Sequence, residues 1–301
     1  MLRADTCNTP RRALSLVEVL VVIAIVALLL GLTLSAVQKV RGAAARSRCQ
    51  NNLRQLGLAL HSYHGTASRL PAGVTLPAVR EPHPFMGWQT HLLPHLEQQA
   101  VWDEAVAAFR ANPDFLSEPR HPGAERAISV FGCPNDPRTA TPQRVGERSI
   151  RGLTSYLGVS GRNVDRLDGV LFGNSSVRLT DITDGTSNTL LIGERPPSTD
   201  MVLGWWYAGW GQNRDGDADM LLGVRAKNAA TYAPGCPFGP YNFTPGKFDN
   251  QCDAFHFWSP HASGANFAFA DGSVRFLRYS ADDILPALAT RAGGEVVAVP
   301  D

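Results

Sequence analysis

The chain has 301 residues, which is enough for one large domain or two small ones. Its formal net charge of +1 leaves no strongly basic face of the kind that nucleic-acid-binding domains use, so we expect no nucleic-acid partner. The 28 glycines and 21 prolines predict short strands and many loops, and they argue against a helical bundle.

The first predicted element is a helix long and apolar enough to span a membrane, over about residues 14–37. From Val19 to Val37 no side chain is charged, and only Thr33 and Ser35 are polar. At about 1.5 Å per residue this run measures roughly 28 Å as a helix, close to the thickness of a bilayer core. Glu18 stands at the edge of the span, where a carboxylate costs roughly 2.5–3.5 kcal/mol on insertion scales unless it has a partner or snorkels to the headgroups.

Three hypotheses compete for this N-terminus. A signal peptide has a shorter apolar region, and a plain membrane anchor leaves Glu18 unexplained. The stretch RRALSLVEVLVVIAIVALLLGLTLSAVQ resembles the type IV prepilin N-terminus, which has a basic leader, a small residue and a hydrophobic helix with Glu at its fifth position. The resemblance implies that a prepilin peptidase cuts between Ala13 and Leu14, where family members usually have Gly and often Phe or Met. It also implies that Glu18 meets the new N-terminal ammonium group of a neighbouring pilin-like subunit.

Basic residues flank the span on both sides, so their distribution does not fix its orientation. The prepilin resemblance implies a cytoplasmic N-terminus, because the leader is cut on that side. We therefore expect a single-pass protein of the inner (cytoplasmic) membrane whose C-terminal domain is extracytoplasmic and which can enter a surface filament.

The helix is predicted to continue to about residue 64. No proline occurs between Ser35 and Tyr63, and an apolar stripe recurs at steps of three and four residues; it comprises Cys49, Leu53, Leu56 and Leu60. This stripe predicts packing on a sheet. The sequence GTASRLPAG predicts the helix stop.

The central region is predicted to alternate a second helix with short strands. Residues 88–110 have a helical pattern, especially after Pro94. A short strand is expected at Val130, and three more are expected in TSYLGVSG, in GVLFGN and over Ser187–Glu194.

An aromatic run offers one alternative function. It comprises Trp205, Trp206, Tyr207 and Trp210, which stack on a sugar ring if they are exposed and form a core or interface strand if they are not.

An acidic run offers a second alternative function. Asp215, Asp217 and Asp219 alternate like the first three ligands of a calcium loop. Met220 stands where an EF-hand needs glycine, so the alternatives are a looser calcium site and a solvated acidic turn. If one of these runs binds its ligand, the chain is a membrane-tethered module that binds glycan or calcium. Apart from calcium at such a site, we expect no cofactor.

The C-terminal region predicts a β-hairpin. Apolar residues alternate on both sides of Asp271-Gly272, which predicts a type I′ turn. His261 precedes the turn, and we expect it to be buried and hydrogen-bonded to that turn. The alternative is that His261 binds a metal or acts as an acid or base, and a more remote alternative is a hydrolase that uses His261, Asp271 and Glu194. Because GxSxG and HExxH motifs and paired catalytic carboxylates are missing, we expect no enzymatic activity.

Four cysteines remain if the chain is cut after Ala13, namely Cys49, Cys133, Cys236 and Cys252. They allow three pairings, which the sequence does not distinguish. An extracytoplasmic domain favours disulfide bonds over the alternative of buried thiols.

Several segments occur together in one order along the chain: the prepilin-like start, CQNNLRQLGLALHSYH, HLLPHLEQQAVW, VFGCPND, TSYLGVSG, DITDGTSNTLLIGER and the His-x9-Asp-Gly ending. In this order they are similar to a large family of prepilin-like bacterial proteins, abundant in planctomycetes, whose central domain has no known function and is sometimes labelled solute-binding-like. The resemblance runs from Arg11 to about Gly294, although family members often carry proline where this chain has Ser35.

The resemblance implies an α+β, pilin-like fold, with a long N-terminal helix packed on an antiparallel β-sheet that carries large loop insertions. The domains expected are a leader at 1–13, the long helix at 14–64 and an extracytoplasmic domain at 65–301. The function implied is that of a type IV pilin-like or type II secretion pseudopilin-like assembly subunit.

Overall fold

The computed structural model describes residues 16–77, 81–146, 149–163, 165–229, 233–295 and 297. The chain forms two compact units that divide between residues 44 and 45. The first helix, α1, comprises Leu16–Ala67 and contributes residues to both units. It ends where Ser68 adopts a positive φ of 57°, three residues beyond the predicted end, with the Ser68 amide bonded to the His64 carbonyl.

The predicted helical region 88–110 forms two helices, α2 (Trp88–His91) and α3 (Gln99–Ala111). A 3-10 turn over Leu93–Leu96 separates them and contains Pro94. Glu97 then adopts a positive φ of 58°, which redirects the chain into α3.

The described residues beyond α3 contain seven short strands: β1 (Gln143–Val145), β2 (Ser149–Arg151), β3 (Tyr156–Gly161), β4 (Leu190–Glu194), β5 (Leu221–Gly223), β6 (Gly264–Phe269) and β7 (Val274–Arg278). Strands β1 and β2 form a separate hairpin, and the other five form one sheet in the order β5-β3-β4-β6-β7. The β3–β5 pair is parallel and the other pairs of this sheet are antiparallel. The fold is therefore α+β as predicted, but the sheet is mixed, because the long connection from β4 to β5 passes β3 and places β5 parallel to it.

The sheet is buried on both faces. One face shares a core with α1, through Tyr156 and Ile192 of the sheet and Leu53 and Leu56 of the helix. The opposite face packs against the chain that precedes β6 and against the last helix, α4 (Leu285–Leu288). Strands β3, β4 and β6 are consequently buried at every residue, which explains why their sequences lack a polar alternation.

Three predicted strands differ from the structure. The segment at Val130 is a 3-10 turn over Ser129–Phe131, and the strand expected over Ser187–Glu194 begins only at Leu190, after a 3-10 turn over Thr186–Asn188. The segment GVLFGN contributes a single bridge, between Gly173 and Val74. The first two segments therefore form local turns instead of extended backbone, whereas GVLFGN still bonds to β3, through the Leu171 amide and the Val159 carbonyl at 3.3 Å.

The C-terminal hairpin is present as predicted, with β6 and β7 in antiparallel register. The predicted type I′ turn is wrong, because Gly272 has a positive φ of 83° and Asp271 does not. The Gly272 amide bonds to the Phe269 carbonyl at 2.9 Å, and the Phe269 amide bonds to the Ser273 carbonyl at 2.9 Å. The loop therefore holds three residues and needs glycine only at its last position.

Candidate functional site

The apolar segment of α1 is exposed along its whole length in the part of the chain that the structure describes. Every large apolar side chain from Leu16 to Val37 is exposed, and so is Val40. The two polar residues are satisfied within the helix, because the Thr33 hydroxyl donates to the Leu29 carbonyl and the Ser35 hydroxyl donates to the Leu32 carbonyl, both at 2.9 Å. A helix that is apolar all round fits lipid or the matching helices of other subunits.

Glu18 lies in the first turn of α1, at the start of the apolar segment. The predicted processing residues Ala13 and Leu14 lie outside the described residues.

The later part of α1 packs as the sequence predicts. Cys49, Leu53, Leu56 and Leu60 are fully buried, and they line one side of the helix. Hydrogen bonds support this packing at its edge: the Asn52 side chain donates to the Gly132 carbonyl at 2.9 Å. The stripe therefore fixes residues 45–67 of α1 against the rest of the second unit.

Four buried side chains converge next to this part of α1: Cys49, Cys133, Glu194 and His261. Their Sγ, carboxylate and ring nitrogen atoms all lie within 4.8 Å of one another. Cys49 and Cys133 are joined by a disulfide with a Cα–Cα distance of 5.3 Å. His261 Nε2 lies 3.7 Å from Cys133 Sγ and 3.5 Å from Glu194 Oε1.

Each member of this cysteine–glutamate–histidine cluster comes from a different element. Cys49 lies on α1, Cys133 follows the 3-10 turn over Ser129–Phe131, Glu194 ends β4, and His261 precedes β6. Because β4 and β6 are adjacent in the sheet, the end of one strand lies beside the start of the other. This pairing brings the glutamate to the histidine.

Amide side chains hold the cluster in place. Glu194 accepts hydrogen bonds from the Asn266 backbone N–H at 2.6 Å and from the Asn266 side chain at 3.0 and 3.1 Å. The side-chain oxygen of Asn266 accepts a bond from Gln50 of α1 at 3.0 Å. His261 Nδ1 lies 3.3 Å from the Asn135 side-chain nitrogen. The carboxylate and the ring are therefore fixed by polar partners rather than by packing alone.

The structure separates the residues of the His-x9-Asp-Gly signature. His261 belongs to the cluster, whereas Asp271 is exposed beyond the far end of β6 and accepts a bond from the Ser273 amide at 2.8 Å. The expectation that His261 is buried is confirmed, but the expected hydrogen bond to the Asp-Gly turn is wrong because strand β6 lies between them. Of the three residues that the hydrolase hypothesis names, His261 lies beside Glu194 but is distant from Asp271.

The other predicted cysteines form the second disulfide, Cys236–Cys252, with a Cα–Cα distance of 5.4 Å. It closes a loop with a sequence separation of 16 residues. Both cysteines are half-buried.

The three aspartates of the predicted calcium loop bind different donors. Asp219 Oδ1 accepts the backbone N–H groups of Gly204 and Trp205 at 3.0 and 2.9 Å. Asp217 Oδ2 accepts from the Gln212 side chain at 2.7 Å, and Asp215 Oδ1 accepts from the Asp217 amide at 3.0 Å. The Asp219 carboxylate therefore binds backbone amides outside the acidic run, unlike the carboxylates of Asp215 and Asp217, whose bonds are local to the loop or go to a side chain.

Burial perturbs the two inner carboxyl groups of this run. Desolvation and the charge of Asp215 raise the pKa of Asp217 to about 7, and desolvation raises the pKa of Asp219 to about 6. Desolvation also lowers the pKa of the buried Arg195 guanidinium to about 10, and Asp219 is the largest charge that opposes this shift.

Asp217 and Asp215 line a cavity of about 170 Å³ together with Ser160 and several apolar side chains. The side chains of Asp217 and Ser160 are almost fully buried, at 1% and 2% exposure. Asp217 Oδ1 and Ser160 Oγ have no hydrogen-bond partner among the described residues. Two buried polar atoms therefore lie beside a space that admits a small polar ligand or an ion.

The aromatic run belongs mainly to the core. Trp206 and Tyr207 are fully buried, and Trp205 and Trp210 are half-buried. The Trp206 indole N–H donates to the Arg126 carbonyl at 2.9 Å. This segment contributes isolated bridges rather than a strand, and it presents no broad aromatic surface for a sugar ring.

Comparison with known proteins gives matches to family models over most of the chain. The family model described as "Protein of unknown function (DUF1559)" matches residues 38–283. The chain belongs to this family. The prokaryotic N-terminal methylation motif matches residues 8–34. This member of the DUF1559 family is therefore a pilin-like or pseudopilin-like protein that is processed at its N-terminus and anchored in a membrane. No curated protein and no solved structure matches the chain.

Sequence reasoning missed the neighbours that complete the cluster in this family member, namely Gln50, Asn135 and Asn266. It named Glu194 only as a hydrolase candidate, and it named His261 as a partner of the turn, a metal ligand or an acid/base group without connecting it to the cysteines. The signal was present in the segments CQNN, GCPND, LIGE and SGANFAF, but nothing local indicates that they meet.

Proposed function

We propose that this chain is a structural assembly subunit of a pilin-like or pseudopilin-like filament, processed after Ala13 and joined to its neighbours through α1. The observation that carries the proposal is the apolar segment of α1, which is exposed all round in a chain that matches the N-terminal methylation motif. Such a surface is stable in lipid and, when it leaves the bilayer, needs the apolar helices of other subunits around it.

Glu18 gives the assembly its register. Cleavage after Ala13 places an ammonium group on Leu14, and the fifth mature residue is then Glu18. A carboxylate at the edge of hydrocarbon is costly, and the terminal ammonium of a neighbouring subunit offsets that cost. Each subunit supplies one acid and one ammonium group, so the pairing repeats along a filament.

The proposed topology has a cytoplasmic N-terminus in the inner membrane and an extracytoplasmic second unit. Cleavage of the leader on the cytoplasmic side and the two disulfides of the second unit support this arrangement.

Mass spectrometry of the N-terminus tests processing. We expect a chain that begins at Leu14 and is N-methylated, and we expect Ala13→Gly to increase the processed fraction because glycine suits the peptidase. An intact Met1, or a cut near Ser35–Ala36, would overturn the proposal.

Glu18→Gln tests assembly separately from anchoring. We expect the variant to fractionate with membranes as the parent does, because glutamine inserts more easily than glutamate. Cross-linking between subunits should fall to background, because the ion pair is lost. Ser35→Ala is the matched control, since it removes a polar group that bonds within its own helix. Equal cross-linking by Glu18→Gln and the parent would contradict the assembly role.

A second candidate function is the binding of calcium in the cavity beside Asp217. The specific observation is the pair of buried, unpartnered oxygens, Asp217 Oδ1 and Ser160 Oγ, next to Asp215 in the same cavity. Calcium takes carboxylate and neutral oxygen ligands, and its charge offsets the burial of Asp217. Asp219 is left out of this proposed site because its carboxylate binds two backbone amides.

Calorimetric titration of the full chain in detergent micelles tests this second candidate. We expect calcium binding that Asp217→Asn abolishes and that Asp103→Asn, an exposed acid on α3, leaves unchanged. Absence of heat with the parent chain, or equal binding by Asp217→Asn, would exclude the site.

A further inference from the structure

The two disulfides of the second unit have different surroundings. Cys236 and Cys252 are half-buried and close a short loop. Cys49 and Cys133 are fully buried, and a histidine nitrogen and a carboxylate oxygen lie beside their sulfur atoms. A disulfide needs neither a histidine nor a buried carboxylate, so these neighbours need a separate explanation.

The four side chains form a donor set suited to zinc. Cys49 and Cys133 supply sulfur, His261 supplies nitrogen and Glu194 supplies oxygen. Structural zinc sites use these ligand types in a tetrahedral group of four. Each ligand comes from a different element of the fold, and all four are buried, as in a closed structural site.

The distances fit the edges of such a tetrahedron. Zinc–ligand bonds of about 2.3 Å to sulfur and about 2.0–2.2 Å to nitrogen and oxygen give edges of about 3.6 Å from sulfur to nitrogen and about 3.4 Å from nitrogen to oxygen. The measured separations are 3.7 Å from Cys133 Sγ to His261 Nε2 and 3.5 Å from His261 Nε2 to Glu194 Oε1. The two sulfur atoms must separate, to about 3.8 Å on the same bond lengths, and the remaining ligand atoms lie within 4.8 Å of one another.

The hydrogen-bond partners of Glu194 and His261 also suit metal binding. Asn266 fixes the Glu194 carboxylate through three hydrogen bonds. The Asn135 amide lies 3.3 Å from His261 Nδ1, and a half-turn of that amide exchanges its nitrogen and oxygen. In that orientation the amide oxygen accepts the Nδ1 proton and leaves Nε2 free to bind a metal.

We propose that Cys49, Cys133, Glu194 and His261 bind Zn²⁺ when the two cysteines are thiols, and that the disulfide is the oxidised, metal-free state of the same site. A dithiol reductant supplies two electrons and two protons, which convert the disulfide to two thiols while the reductant becomes a disulfide. Zn²⁺ then displaces the two thiol protons and binds the thiolates. This inference does not depend on the assembly role of α1.

Metal analysis of the full chain in detergent micelles tests the proposal. The parent carries Cys7→Ser, which removes a thiol outside the described residues, and a phosphine reductant avoids metal binding by added thiols. After reduction and removal of excess metal, we expect one zinc ion per chain. Substitution with Co²⁺ should give the visible bands of tetrahedral cobalt and a thiolate charge-transfer band. The oxidised chain should carry no zinc and should show no cobalt–thiolate band.

Variants assign the ligands. Cys49→Ser should at least halve the charge-transfer band, because only the Cys133 thiolate of the pair is then left to bind cobalt. Glu194→Gln, which preserves the side-chain shape, should weaken cobalt binding by at least about tenfold. The double variant Cys236→Ser/Cys252→Ser is the matched control and should bind cobalt as the parent does. Far-ultraviolet circular dichroism checks that each variant is folded.

Three results would overturn the proposal: a reduced, folded parent chain that binds no zinc or cobalt; a cobalt spectrum without thiolate bands; or binding by folded Glu194→Gln equal to that of the parent. If Cys49→Ser does not fold, the parent spectrum and Glu194→Gln still decide the matter.

Discussion

Replacing Asp217 with asparagine should make the chain more stable at neutral pH and should have little effect at acidic pH. The carboxyl group is almost fully buried, and Gln212 donates to its Oδ2 at 2.7 Å. Burial and the nearby charge of Asp215 raise its pKa from 3.8 to about 7. Asparagine retains an oxygen for Gln212 but carries no charge to desolvate.

Proton binding determines whether the free energy of unfolding rises or falls with pH. Between about pH 4 and pH 7 the folded state holds the Asp217 proton and the unfolded state has lost it, so the free energy of unfolding falls as the pH rises. The rise of the Asp217 pKa from 3.8 to about 7 sets an upper bound of about 4 kcal/mol on this loss above pH 7. Asp217→Asn removes this contribution. The difference in the free energy of unfolding between the variant and the parent should therefore increase from about pH 4 to pH 7 and stay constant above pH 7.

Thermal unfolding in detergent micelles, in a chelating buffer that removes calcium, measures the effect. At about 2–4 °C per kcal/mol for a chain of this size, Tm of Asp217→Asn should exceed that of the parent by up to roughly 10 °C at pH 8 and should converge with it near pH 4. The exposed control Asp103→Asn should follow the parent at every pH. A difference between Asp217→Asn and the parent that is the same at all pH values would refute the reasoning.

Three further predictions concern packing, backbone and cross-links, and thermal unfolding measures each. Leu56→Ala should lower the free energy of unfolding by about 2–5 kcal/mol, because Leu56 is fully buried. Leu58→Ala, on the exposed side of α1, should change it by no more than about 0.5 kcal/mol, and equal losses would contradict the assigned helix face. Gly272→Ala should cost about 1–2 kcal/mol through its φ of 83° alone, because the nearest atoms leave room for a Cβ, and an unchanged Tm would show that the turn adapts. Cys236→Ser with Cys252→Ser should cost about 3 kcal/mol, as expected for a loop of this length, and no loss under oxidising conditions would show that this cross-link does not stabilise the fold.

The features that the sequence predicted correctly depend on local patterns. The buried stripe of α1 at Cys49, Leu53, Leu56 and Leu60 follows from helical periodicity, and each of these residues is fully buried. The hairpin around Asp271-Gly272 follows from alternation on both sides of a turn dipeptide. The turn type was wrong because it depends on how many residues separate the last paired positions, and that count is set by the register of β6 and β7.

The buried cluster could not be predicted because its members are distant in sequence. Cys49 and Cys133 are 84 residues apart, and the pairing of β4 with β6 brings Glu194 beside the segment of His261. Four cysteines without a CxxC motif do not suggest a metal site, since the nitrogen and oxygen ligands come from other segments. The mixed sheet was missed for the same reason, because the parallel partner of β3 is the distant strand β5.

The spacing of the His-x9-Asp-Gly signature follows from the geometry of α1 and β6. At its start, His261 lies beside Cys49 of α1. At its end, Gly272 lies against Gly57 and His61 of the same helix. Residues 49–61 of a helix span about 18 Å, and the six residues of β6 span about 20 Å as a strand. The nine intervening residues therefore match the distance between two contact points on α1, so a spacer longer or shorter by two residues would move one contact by about 7 Å. On this argument the signature fixes the strand against the helix at both ends, and the same contact points hold His261 at the cysteine pair.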